Sequence, residues 1–198
     1  EIYNHKYLRT ELEAISNRNW VGHSDTETLL ASIEEWGFQN TLTKVKGMFA
    51  IALWDKNSKN LYLSCDRIGE KPLYYGWVNE HFVFASELKS IKQFPKFNNQ
   101  IDRSSLAMFL RFNSIPAPHS IYENIYKLEP GQIVKIQSKS KQIKKYSYWS
   151  IEEVYKTLVI AFILVVLIIY LFLGNLKAVV VPAIALPVSL VASFLGIY

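Results

Sequence analysis

Cysteine is almost absent from this 198-residue sequence, and Cys65 is its only example. No intrachain disulfide and no cluster of thiolate metal ligands can therefore form. The four histidines, His5, His23, His81 and His119, show no HxxxH or HxH spacing, so no metal set is expected. The glycines make neither a GxGxxG nor a GxxxxGK run, which excludes the common phosphate cradles. No leader with a basic, an apolar and a small-residue part is visible at the start. The chain opens on Glu1 rather than Met, which reads as the start of a fragment.

Charge is scarce as well, but only in one part of the chain. All 17 acidic residues lie at or before Glu153, and 21 of the 22 Lys and Arg lie at or before Lys156. Beyond that point Lys177 is the one charge. This segregation divides the sequence into 1–149 and 150–198. In the first part the basic excess is mild and spread out, whereas a nucleic-acid footprint needs charge gathered on one face. The one local cluster, Lys139, Lys141, Lys144 and Lys145, reads as a solvated hairpin edge, so no nucleic-acid partner is expected.

Half of the residues are hydrophobic and 14% are aromatic, enough for a packed core. Residues 4–16 predict a helix with Leu8, Leu12 and Ile15 on one face. Ser24 to Gly37 predicts a second one. Ser24 and Glu27 have capping-box spacing, Leu29, Leu30, Ile33 and Trp36 form the stripe, and Gly37 stops it. The apolar run Met48–Trp54 suits a strand covered on both faces. A turn at 55–60 leads to a strand at 61–65, and 72–77 and 81–85 read as two more. A helix follows at 103–112 with Asp102 as N-cap, then a Pro-bound loop at 115–118. A last hairpin is expected from 131–136 and 142–149. Helices before and after a block of strands point to a layered α/β or α+β sandwich.

The tail is of another kind. Thr157 to Leu173 carries no charge, Gly174-Asn175-Leu176-Lys177 interrupts it, and 178–198 is again uncharged. A membrane span needs ~20 apolar residues for a ~30 Å hydrocarbon core. Pro182 and Pro187 are tolerated in packed membrane helices. The tail thus predicts a transmembrane hairpin with spans at about 157–173 and 178–198, and the lipid bilayer as partner.

Two places suggest chemistry. Cys65-Asp66-Arg67 sets a thiol beside an acid and a base, but strand alternation puts Cys65 with Leu61 and Leu63 as a small buried hydrophobe. Asp66 and Arg67 are expected to pair and hold the turn before Gly69. Asp25 lies just inside a capped helix start. A carboxylate there either serves the free N–H groups and dipole of the helix or belongs to a site, and both readings stand.

Several strings occur in a recognisable order. They are Glu-Ile-Tyr-Asn-His at 1–5, Ser-Asp-Thr-Glu at 24–27, Gly-Met-Phe-Ala at 47–50 and Trp-Asp at 54–55. Asp66-Arg-Ile-Gly-Glu-Lys-Pro-Leu-Tyr-Tyr75, Phe84-Ala-Ser-Glu-Leu-Lys89, Pro130-Gly131 and Tyr148-Trp149 follow. Together they resemble the class II glutamine amidotransferase domain of glutamine-hydrolysing asparagine synthases, over essentially all of 1–149. The resemblance implies an α+β, N-terminal-nucleophile type four-layer sandwich, two antiparallel sheets between helical layers, with its first part missing. It implies glutamine as substrate and attack on the side-chain amide by an N-terminal cysteine thiolate. The released ammonia would serve ATP-dependent amidation of aspartate in a synthetase domain, with ATP and Mg as that domain's cofactors and none in this chain. Of the site, Glu1 matches the family Glu of an Asn-Gly-Glu run, and Asp25 matches the aspartate that accepts the glutamine α-ammonium. The nucleophile, the carboxylate-binding Arg and the oxyanion donors would precede Glu1. No catalytic residue is therefore expected in this sequence, and Cys65 is not at the nucleophile position.

Ser150-Ile-Glu-Glu-Val-Tyr-Lys-Thr157, Tyr170-Leu-Phe-Leu-Gly-Asn-Leu-Lys177 and Pro182-Ala-Ile-Ala-Leu-Pro187 resemble resistance–nodulation–division efflux transporters. They match the second transmembrane helix and the start of the third. The proton-relay aspartates of that family would lie on the next helix, and this tail contains no acid after Glu153. The two resemblances imply different locations. The amidotransferase family is cytoplasmic. A hairpin with Lys177 inside would put 1–156 across the inner or plasma membrane. The sequence therefore reads as an amidotransferase fragment joined to a foreign membrane segment. The alternatives are an efflux fragment with a foreign N-terminus and a membrane-anchored glutamine-binding module.

Overall fold

The computed structural model describes residues 1–16, 18–138 and 140–173; the side chains at 153 and 169–173 lie outside the description. The chain divides into two units, Glu1–Ser150 and Ile151–Tyr198.

The first unit opens with three helices, α1 (His5–Ile15), α2 (Asp25–Trp36) and α3 (Phe38–Lys44). Strands β1 (Ala50–Asp55), β2 (Asn60–Cys65), β3 (Tyr74–Val78) and β4 (His81–Ala85) follow. Then come α4 (Leu88–Lys92), α5 (Arg103–Phe112), β5 (Ile125–Lys127), β6 (Gln132–Gln137) and β7 (Ile143–Ser147). One sheet has the order β1-β2-β6-β7 and the other β4-β3-β5, and every pairing within them is antiparallel. This is an α+β fold with two antiparallel sheets.

Strand alternation sorts the apolar residues into three cores. Ile133, Ile51, Tyr62 and Tyr146 point from the four-stranded sheet to Leu8, Leu29, Leu42 and Val45 of the helical layer. Leu63, Cys65, Val134 and Ile136 turn the other way, to Tyr75, Trp77 and Phe82 of the second sheet. The outer face of that sheet, with Tyr74, Val78, Val83 and Ile125, is closed by Leu88 and Ile91 of α4 and by Phe94 and Phe97. Gly76 is required at the β3–β5 pairing, because a Cβ there would lie 2.0 Å from the Asn124 carbonyl oxygen.

Several expectations need adjustment. Leu8 and Leu12 are buried as expected, but Ile15 and Leu30 are exposed at the edges of their stripes. The apolar run 48–54 suits a strand covered on both faces, yet β1 is the outer strand of its sheet among the described residues. Ala52 and Trp54 are exposed on it. Helices α3 and α4 and strand β5 had no sequence signal strong enough to predict them. They are short, at 7, 5 and 3 residues, and neither α3 nor α4 has a side-chain cap. Asp102 does cap α5, accepting from the Ser104 N–H at 2.8 Å.

In the second unit, α6 spans Ile151–Leu173. Among the described residues no helix is long and apolar enough to cross a membrane. The expected loop at 174–177 and second span at 178–198 lie outside the described residues.

Candidate functional site

The start of α2 is built by a network around Arg9 of α1. Its guanidinium donates to Thr28 Oγ1 at 2.8 Å and to the Gly22 carbonyl at 2.9 Å, and pairs with Glu27 at 3.2 Å. Five fixed donors make arginine suited to such a fork. Ser24 caps the helix by accepting the Glu27 N–H at 3.2 Å. The return half of the capping box is replaced: Glu27 accepts from the N–H groups of Val21 (2.8 Å) and Gly22 (3.0 Å) instead. Those bonds, first the one from Val21, hold its carboxyl below the usual carboxylate range.

This anchoring fixes Asp25, the first residue of α2. Its Oδ2 accepts the Ile2 N–H at 2.9 Å. That hydrogen bond, helped by the Glu1 amino group, the Thr26 N–H and His5, holds the Asp25 carboxyl below its ordinary range. The segment carrying Glu1 is held from the other side. The Glu1 amino group donates to the Met48 carbonyl at 2.7 Å, and the Met48 N–H donates back to Glu1 at 3.1 Å. An antiparallel bridge joins Ile2 to Gly47. Gly47 has φ +151°, and a Cβ there would lie 2.2 Å from the Glu1 carbonyl oxygen, so only glycine lets the two backbones approach.

The third wall comes from the loop after β2. Asp66 is buried, and its carboxylate accepts the N–H groups of Phe49 (3.3 Å), Ile68 (3.2 Å), Glu70 (2.9 Å) and Lys71 (3.0 Å). The expected Asp66–Arg67 pair is therefore corrected. The carboxylate is saturated by backbone amides, and Arg67 donates to the Thr43 carbonyl at 2.6 Å. Buried charges of this kind are stable only when fully hydrogen-bonded, which this one is.

These three walls enclose a cleft of about 330 Å³, which Glu1, Asp25, Thr26, Met48, Lys71 and Ser86 line together with the apolar Ile2, Leu29, Phe49 and Ile51. The two residues singled out in the sequence, Glu1 and Asp25, thus meet in one cavity. Lys71 and Ser86 were not singled out, although both lie inside strings that carried the family resemblance. His5 sits close enough to act on Asp25, and its Nδ1 is buried without a partner among the described residues. Cys65 is elsewhere, in the core between the sheets, with its Sγ 3.3 Å from the Glu129 carbonyl oxygen. Burial, and then the neighbouring Asp66 charge, push its thiol up to about 12. Among the described residues no group of three or more His, Cys, Asp or Glu is placed to hold a metal ion. Of the lysine cluster, Lys141 pairs with Glu80, and Lys145 lies 5.7 Å and 5.6 Å from the ring centroids of Tyr75 and Tyr126. Residue 139 is outside the description.

Two antiparallel sheets, a helical layer and an acid-lined cleft at a helix start define an α+β sandwich with a site at its helical side. Solved structures share the fold. Glutamine phosphoribosylpyrophosphate amidotransferase from B. subtilis superposes with a TM-score of 0.50 at 20% identity, over 75% of this chain and 27% of that one. The structure described as the allosteric regulatory enzyme of purine biosynthesis gives 0.50 at 21%, over the same shares. At these identities the likeness speaks for the fold alone. The family model described as the glutamine amidotransferase domain matches residues 1–149. The chain belongs to that family.

Among curated relatives, a putative glutamine-hydrolysing asparagine synthetase 2 of Methanocaldococcus jannaschii is 35% identical over 155 residues. The alignment takes in 77% of this chain and 29% of the relative. Asparagine synthetase 1 of Bacillus subtilis is 39% identical over 131 residues, 66% of this chain and 20% of the relative. The chain thus spans under a third of the length of these relatives. A second family model, described as AcrB/AcrD/AcrF, matches residues 105–198, less than half of the chain, and overlaps the first over 105–149.

Proposed function

We propose that residues 1–149 form the substrate-holding side of a glutamine-hydrolysing site of the asparagine synthase type. Asp25 takes the α-ammonium of glutamine, and Glu1 lies along the same ligand. The observation that carries this reading is the junction of Glu1 and Asp25 in one cleft, with Asp25 kept ionised by the Ile2 N–H. The cleft has the size of small-molecule sites, roughly 300–1,000 Å³. A fixed carboxylate at its wall is suited to a cationic amine, because a charge-assisted hydrogen bond is about twice as strong as a neutral one.

The hydrolytic step needs a thiolate or equivalent nucleophile at the amide carbon. No cysteine is among the described residues lining the cleft, and Cys65 is buried in another core. In this reading the nucleophile and oxyanion donors lie outside this sequence. So do the ATP- and Mg-dependent steps that would pass ammonia to aspartate. The test is glutamine binding by calorimetry. Asp25→Asn is expected to weaken it about tenfold, the value of one hydrogen bond to a charged group. An unchanged affinity sinks the assignment of Asp25.

A second reading concerns residues 150–198. Exposed apolar side chains occur on all sides of α6, among them Leu158, Ile160, Ile163, Leu164 and Leu167. A helix apolar all round is suited to a bilayer or to a large core. Together with the AcrB/AcrD/AcrF match, this favours a membrane segment of efflux-transporter type joined to the amidotransferase unit. In liposome flotation the full chain is expected to rise with the lipid, and recovery in the lipid-free fraction would remove this reading.

A further inference from the structure

Helices α1, α2, α3 and α4 each give an apolar side chain to one of the three cores, among them Leu8, Leu29, Leu42 and Ile91. Helix α5 gives none. Its one buried residue is Ser105, and among the described residues no other helix or strand packs along it. Yet the helix is far from polar. Leu106, Phe109 and Leu110 stand at i, i+3 and i+4, and all three are exposed, Leu110 at 78%. Phe112 follows, also exposed. Apolar residues at that spacing form a stripe that a helix normally turns towards a core. Gathered on a surface, they mark a docking site.

The charges beside the stripe decide what it fits. Residues 103–112 contain two cations, Arg103 and Arg111, both exposed, and no acid. The neighbouring Asp102 is committed to the helix start, accepting from the Ser104 and Ser105 N–H groups and from the Ser105 hydroxyl. Arg111 lies over the Phe112 ring, 5.1 Å from its centroid. An arginine can keep its stem on apolar surface in this way and its head in a polar layer. A second copy is a poor match. An antiparallel pair of α5 helices would set Arg103 of one against Arg111 of the other, and a parallel pair would set each arginine against its own like. An anionic phospholipid surface offers acyl chains to the stripe and phosphates to the arginines, the arrangement of an interfacial amphipathic helix. The same chain carries α6, whose apolar side chains are exposed on all sides and suit a bilayer.

We propose that α5 is a lipid-binding helix that lays Leu106, Phe109 and Leu110 into the headgroup boundary of an anionic bilayer, with Arg103 and Arg111 on its phosphates. The glutamine reading is not involved, and the tail serves only to bring the chain to a membrane.

The experiment transfers the full chain from detergent into vesicles of phosphatidylcholine, with or without phosphatidylserine. An environment-sensitive fluorophore on Ala107→Cys reports on α5 alone, because residue 107 is exposed and the Cys65 thiol is buried away from the label. Flotation of the same samples reports on the tail. With phosphatidylserine the emission is expected to move to the blue and the label to be shielded from an aqueous quencher, and added salt to reverse both. Arg103→Gln or Arg111→Gln is expected to lower the ratio of engaged to free helix about fivefold, and the Lys variants to keep it. Leu110→Ser is expected to lose the shift while leaving the urea midpoint unchanged, since that side chain supports no core. An emission that does not respond to lipid overturns the proposal. If the chain still floats, the membrane reading of the tail stands without it, and if the chain does not float, both fall. A shift equal in the two vesicle types and indifferent to the arginine variants also overturns it. So does a shift that rises with protein concentration in the absence of vesicles, which would make a second copy the occupant.

Discussion

Asp66 and Cys65 are adjacent, both are buried, and the fold uses them in opposite ways. The acid accepts four backbone N–H groups and so becomes the clamp of the loop that carries Lys71. The thiol is kept neutral by the same burial. In an unfolded chain Cys65 ionises near about 8.5. In the native chain it does so only near about 12. Between these values the unfolded state releases a proton that the native state retains, so stability falls as pH rises through this window and is unaffected below it. The buried Tyr148 hydroxyl, which donates to the Cys65 carbonyl at 2.8 Å, is raised as well and adds to the same slope. Urea midpoints measured between about pH 8 and 11 should fall, and less steeply in Cys65→Ala. A thiol reagent at about pH 7.5 should react only after unfolding, and rapid native labelling would contradict the burial.

At the scale of elements, what the sequence makes legible follows the strength of local signals. Ser24, Asp102 and Gly37 mark helix ends through side-chain caps or a positive φ, and all three mark real boundaries. The alternation that buries Leu63 and Cys65 is equally direct. The short α3, α4 and β5 are stabilised by what they pack on, which no local pattern records. The same holds for the destination of Asp66, because its partner N–H at Phe49 is 17 positions away. The contact between Gly76 and Asn124 was also invisible in the sequence. Gly76→Ala would press a methyl group into that carbonyl and should cost about 3 kcal/mol or separate β5 from β3. Denaturation with urea measures it, and a cost below about 0.5 kcal/mol, the size of an ordinary surface change, would show that the strands can part without penalty.

At the scale of the whole molecule, the acid-lined cleft and the apolar tail belong to separate units. Glu1 and Asp25 were legible only through the family strings, since pattern alone left Asp25 with two readings. Their meeting in one cleft required the fold. Among the described residues no cysteine lines the cleft, so the 198-residue chain is expected to release no ammonia from glutamine above the rate without protein. A coupled ammonia assay decides this, and sustained turnover would require a nucleophile other than those described.

The bridge between Ile2 and Gly47 has a practical consequence for anyone handling this protein. It is antiparallel, so its register carries any residues placed ahead of Glu1 alongside Phe49, Ala50 and Ile51. These residues line the cleft, and Ala50 and Ile51 begin β1, the outer strand of its sheet among the described residues. An affinity tag fused directly ahead of Glu1 would therefore run alongside β1 at the mouth of the cavity and compete with a soluble ligand. Binding titrations on front-tagged and untagged protein should differ for this reason alone.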